Sequence, residues 1–155
     1  MKIFLDDERN PRHGEDDWVI VRSVEALNVA LARHGGQITH LSLDHDLGRK
    51  LSGSDAVNII AGHAFAEPYA LPSLEKITVH SANSAAAESM LDKLSGSRRN
   101  GGLSKDVNIT YDPAREDTYP LARYESGRNL AEIEMPKADE AQKAAYLAAQ
   151  TARQR

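Results

Sequence analysis

Five short apolar runs punctuate the first two thirds of this 155-residue chain: Lys2 to Leu5, Trp18 to Val21, His40 to Leu43, Lys76 to Val79 and Val107 to Tyr111. Each is the length of a strand rather than a helix, and three of the four intervening segments carry helical spacing instead. That alternation predicts a parallel sheet with crossover helices, because parallel strands are joined only by long connections that return over a sheet face. Val24, Leu27 and Leu31 fall on one helical face behind Ser23 as N-cap, and Gly35-Gly36 stop that helix. Ser54 is the expected cap of a second helix with the face Val57, Ile60, Ala61 and Ala64, ending before Pro68. A third, bearing Ala87, Met90, Leu91 and Leu94, begins at Asn83 or Ser84. The first connection, Asp6 to Asp17, contains Pro11 and Gly14 and has no apolar stripe, so its helix is expected to be lost or reduced to a turn.

Length fits one domain, spanning residues 1–113. Residues 114–135 read as an irregular polar extension with a weak strand-like run near Leu130 to Met135. Pro136 then suits the first turn of an Ala-rich helix over residues 136–155. Its face of Ala141, Ala145, Ala148 and Ala152 buries little area, which leaves weak packing, a homodimer contact or a solvated helix as its readings.

Composition removes several functions. No cysteine is present, so thiolate catalysis and thiolate metal sites are excluded, and a reducing cytoplasm is the expected location. No apolar stretch suits a membrane span or an export signal. A formal charge of −4 at pH 7, from 19 basic and 23 acidic side chains, argues against a broad nucleic-acid surface but leaves room for a local anion site.

In open parallel α/β sheets, ligands bind beyond the carboxyl ends of the strands. Asp6 and Asp7 end the first strand, Asp44, His45 and Asp46 the third, and His80, Ser81 and Asn83 the fourth. The loops beyond add Arg9, Arg12, His13, Arg49 and Lys50, and Asp112 and Arg115 follow the fifth strand. Three carboxylates from Asp6, Asp7 and Asp44 on neighbouring strand ends repel unless a cation intervenes, and hard oxygen donors suit Mg²⁺ or Mn²⁺. An Asp-Asp pair alone is also explained by a helix cap or an exposed turn; Asp44 and Asp46 next door favour the metal reading. His45 and His80 are candidates for general-base and general-acid work at phosphorus, with a packed or metal-bound histidine as the competing reading. Asn83 suits either helix capping or the presentation of backbone N–H groups to an anion.

Taken together, "LDDER", "SLDHDLG" and "VHSAN" resemble the cyclic-phosphate-processing receiver-like domains, a divergent branch of the response-regulator receiver fold, over about residues 2 to 112. The resemblance implies a flavodoxin-like, doubly wound, five-stranded parallel sheet. It places the receiver's acidic pair at Asp6 and Asp7, its aspartate at Asp44 and its hydroxyl residue at Ser81. Two departures stand out: Asp112-Pro113 occupies the receiver's Lys-Pro step, and His45 and His80 flank positions where a signalling receiver needs no histidine. The resemblance therefore implies a metal-assisted enzyme or binder acting on a cyclic phosphate, at an RNA terminus or on a nucleotide derivative, and a phosphodiesterase is the expected activity. In it, Asp6, Asp7 and Asp44 hold the metal, His45 and His80 with Asp44 form the catalytic group, and Arg9, Arg12, Arg49, Ser81 and Asn83 contact substrate. A protein that sequesters such a nucleotide and a degenerate phospho-receiver using Asp44 are the alternatives, the latter disfavoured by the missing lysine.

Overall fold

The computed structural model describes residues 1–9, 11, 18–48, 50–66, 71–113 and 131–133. Its strands are β1 (Lys2–Leu5), β2 (Trp18–Val21), β3 (His40–Leu43), β4 (Lys76–Val79), β5 (Asn108–Tyr111) and β6 (Ala131–Ile133). All pair in parallel, in the order β5-β4-β3-β1-β2-β6. The first five have the flavodoxin-like order expected of a receiver, with the reversal of direction between β1 and β3. The sixth is an addition: the weak run near Leu130 pairs with the outer edge of β2, so the extension is not wholly irregular. The other residues of that extension, the Ala-rich helix at 136–155 and residues 12–17 of the first connection lie outside the described residues.

The helices are α1 (Val24–His34), α2 (Gly53–Ala66) and α3 (Ser84–Arg99). Ser23 caps α1 by accepting from the Ala26 amide at 3.1 Å, and Asn83 caps α3 from the Ala86 amide at the same distance. The cap of α2 is Ser52 rather than Ser54: the Ser52 hydroxyl accepts from the Ser54 amide at 3.2 Å while Asp55 accepts from the Ser52 amide at 2.8 Å. This reciprocal pair satisfies two donors at once, which a cap at Ser54 without an acid at the matching position would not do.

Strand periodicity sorts the side chains. Ile3, Leu5, Val21, Leu41, Leu43, Ile77 and Val79 pack against Leu27 and Leu31 of α1, Val57 and Ile60 of α2, and Met90 and Leu94 of α3 in one core. Each fully buried aliphatic side chain of this kind contributes roughly 1.5–3 kcal/mol. All three described helices thus lie on one face. The other face carries Phe4, Ile20, Ser42, Thr78 and Thr110, and no described helix covers it. Among the described residues no helix is long and apolar enough to cross a membrane.

Candidate functional site

The ladder continues one residue past the carboxyl ends of the strands: the amides of Asp6, Asp44, His80 and Asp112 donate to Val21, Leu5, Leu43 and Val79 at 2.8–3.2 Å. The side-chain period of two therefore sets Asp112, His80, Asp44, Asp6 and Arg22 in one row across five adjacent strands, on the Phe4–Ser42 face. Asp6, Asp44 and His80 are at most 4% exposed.

Asp6 is held from every side. One carboxylate oxygen accepts the Glu8 and Arg9 amides at 2.9 and 2.8 Å. The other meets His80 Nε2 and Arg9 Nε, each at 3.1 Å. Burial pushes this carboxyl up, but the His80 and amide hydrogen bonds, with the charge of His80, outweigh it and hold Asp6 below the usual carboxylate value. Asp44 moves the opposite way. Burial and the neighbouring Asp6 charge raise it, against partial relief from His80, Arg9 and the His45 amide, which donates at 2.8 Å. Arg9 also reaches the second Asp44 oxygen at 3.3 Å, so its guanidinium bridges the two buried acids.

These directions fix a pH dependence. Asp6, depressed in the fold, stabilises it above the unfolded carboxylate value, and that contribution is lost as pH falls through its lowered folded value. Asp44, raised in the fold, costs stability while ionised, and the cost disappears as pH falls through its raised value. Asp44→Asn is expected to melt higher than the native protein at neutral pH in chelator, by roughly 2–4 °C for each 1 kcal/mol recovered. The gain should shrink on acidification, which scanning calorimetry across pH would measure; a lower melting temperature at neutral pH would contradict this balance of charges.

The two histidines differ. His80 lies flat on Phe4, ring centroids 4.4 Å apart and planes 9° from parallel. Its Nδ1 sits 2.7 Å from the Ser42 hydroxyl. Because ionised Asp6 only accepts, Nε2 carries a proton toward it, while Nδ1 faces the Ser42 hydroxyl; both nitrogens are committed inside the protein. His45 is more open, with 21% of its side chain exposed. Its Nδ1 lies 2.8 Å from Asp46, which selects the tautomer with hydrogen on Nδ1 and leaves the Nε2 lone pair for other work.

Oxygens of Asp6, Asp7 and Asp44 lie within 4.8 Å of one another, close enough for a single cation to contact all three. Gly48 makes room for this group: its φ is +60°, and a Cβ there would lie 2.8 Å from an Asp7 carboxylate oxygen. A hard-oxygen donor set in such a cradle fits Mg²⁺ or Mn²⁺.

The remaining candidates are more dispersed. Ser81 is fully buried and its hydroxyl accepts the Asn83 amide at 3.0 Å, while Asn83 is occupied as the α3 cap. Arg12 and Arg49 lie outside the described residues. Sequence reasoning missed Ser42 and Arg22. Arg22 donates to the carbonyls of Asp6 and Arg9 at 3.1 and 2.7 Å, pinning the loop after β1. Its signal was present: it ends the apolar run of β2 at the same edge.

The cyclic-phosphate processing receiver domain model matches residues 1–96. The chain belongs to this family. The match takes in β1 through most of α3, and with them Asp6, Asp7, Asp44, His45, His80 and Asn83. Searches of curated proteins and of solved structures each found no match. Asp112, at the carboxyl end of β5, lies beyond the matched residues.

Proposed function

We propose that this receiver domain hydrolyses a cyclic phosphate ester, of an RNA terminus or a small nucleotide derivative, with a divalent cation held by Asp7 and Asp44 and steadied by Asp6. The observation that carries the proposal is the convergence of Asp6, Asp7 and Asp44 oxygens within 4.8 Å of one another, beside His45, at the carboxyl edge of a cyclic-phosphate processing receiver domain. Bound Mg²⁺ would supply Lewis-acid charge for a non-bridging phosphate oxygen.

The chain's own residues do the rest. His45 Nε2 takes a proton from the attacking water as its oxygen bonds to phosphorus, and the Asp46 carboxylate stabilises the imidazolium so formed. The ring P–O bond breaks on the opposite side of phosphorus, where the departing ribose oxygen takes a proton from solvent, and the imidazolium returns its own proton to solvent. His80 is a positioning residue: held by Ser42 and Phe4, it orients Asp6 and contributes positive character to the site. This modifies an equal division of acid and base work between two histidines, because His80 has no ring nitrogen to spare. Phosphotransfer signalling through Asp44 is disfavoured by Asp112, whose charge at the end of β5 opposes an acyl phosphate.

Phosphorus NMR of the protein with Mg²⁺ and a panel of 2′,3′-cyclic nucleotides, cyclic dinucleotides and ADP-ribose cyclic phosphates tests the proposal. Conversion of one cyclic ester to a monoester is expected. Tight binding without conversion across the panel would replace hydrolysis with sequestration.

A further inference from the structure

Arg9 does not face outward toward an anion, as a substrate-gripping arginine would; it lies along the acid cluster, with Nε 3.1 Å from Asp6 and a terminal nitrogen 3.3 Å from Asp44. We propose that Arg9 is an internal counter-cation of the metal-free site, and that a divalent ion and the Arg9–Asp44 contact exclude one another, so that metal loading releases the guanidinium toward the substrate phosphate. The inference rests on the metal reading of Asp7 and Asp44 given above.

Three observations support it. First, the Asp44 carboxylate that Arg9 contacts is one of the three that offer an oxygen to the cluster within 4.8 Å, so a divalent ion there would stand beside a like charge. Second, the asymmetry of burial suits a movable group: the Arg9 side chain is 24% exposed, while Asp6 and Asp44 are at 1% and 4%. Third, the backbone need not follow. Arg22 holds the carbonyls of Asp6 and Arg9, and Asp6 holds the amides of Glu8 and Arg9, so the loop stays in place while the side chain alone rotates. A guanidinium freed in this way keeps its planar fork for two oxygens of a phosphate. In the metal-free protein the same arginine relieves repulsion between two buried carboxylates.

The test is calorimetric titration of Mn²⁺ and Mg²⁺ into the native protein, Arg9→Gln and Asp7→Asn at mildly alkaline pH, where the carboxylates are ionised. If Arg9 competes with the metal, Arg9→Gln binds the ion at least about tenfold more tightly than the native protein, and Asp7→Asn binds it more weakly. Equal or weaker binding by Arg9→Gln, with the native protein still binding, overturns the counter-cation role and leaves the metal reading standing. No heat from the native protein or from Arg9→Gln overturns the metal reading and this inference with it. A second measurement does not depend on a variant's folding: in the native protein, the Arg9 Nε–H resonance, assigned by through-bond correlation to its own side chain and backbone, should shift on saturation with Mg²⁺. An unmoved resonance in a metal-saturated protein overturns the release.

Discussion

Gly53→Ala is expected to cost about 3 kcal/mol or more and to displace the site, although residue 53 contributes no side chain to it. A Cβ at Gly53 would overlap the carbonyl oxygen of Asp44 and lie 2.7 Å from His45 Cα and 2.8 Å from Met90 Cε. Only the methionine end could yield at low cost, since the other two atoms belong to backbone that carries the candidate metal holder Asp44 and the candidate base His45. The Gly53 amide also donates to the His45 carbonyl at 2.9 Å, so the start of α2 is fixed against the end of β3. The expected result is a fall in melting temperature of roughly 6–12 °C for a domain of this size. Gly36→Ala is the control, because nothing lies within 4 Å of a Cβ at Gly36. Similar melting temperatures for the two variants would show that α2 does not seat on the β3 terminus this closely.

The second large effect separates the histidines. His45→Ala should lower turnover of the cyclic ester by about 10²- to 10⁴-fold, the usual contribution of a positioned acid–base group, with little change in stability for a partly exposed side chain. His80→Ala should reduce stability by roughly 2–4 kcal/mol, because it strands the Ser42 hydroxyl, leaves one Asp6 oxygen with Arg9 as its remaining donor and opens a void beside Phe4. It should also weaken divalent-ion binding, through Asp6, where His45→Ala should leave that binding close to native. Thermal melts, metal titrations and steady-state rates on the two variants report these differences. A stable His80→Ala with native metal affinity but lost turnover would return His80 to direct proton transfer.

The fold was legible in the sequence where hydrophobicity alone decides it. All five apolar runs became strands, since each alternates a core residue such as Leu5, Leu43 or Val79 with one for the second face. β6 was only faintly legible, because a three-residue strand owes its existence to the open edge of β2 rather than to its own apolar content. The displacement of the α2 cap from Ser54 to Ser52 follows from Asp55, which completes a reciprocal pair only with the earlier serine.

Within the site, sequence located the edge but not the row. Asp6, Asp7, Asp44, His45 and His80 were all placed at strand ends, yet only register shows that Asp6, Arg22, Asp44, His80 and Asp112 share one side. That parity makes His80 a buried partner of Asp6 and sets His45 apart. Arg9 was legible as a cation near the acids, since it follows Asp6 by three residues. Its bridge to Asp44 was not, because 35 residues separate them and only the pairing of β1 with β3 brings them together.

The central claim is that this acidic edge, with a divalent ion, opens a cyclic phosphate by attack of water. Its most direct test is the phosphorus spectrum of the native protein and of Asp44→Asn, each with Mg²⁺ and the cyclic ester turned over in the panel, in water partly enriched in heavy oxygen. The account predicts that the native protein converts the cyclic ester to a monoester whose signal is split by the isotope, and that chelator or Asp44→Asn abolishes the conversion. Conversion that proceeds equally in Asp44→Asn or in chelator, or a monoester without the isotope, would contradict it.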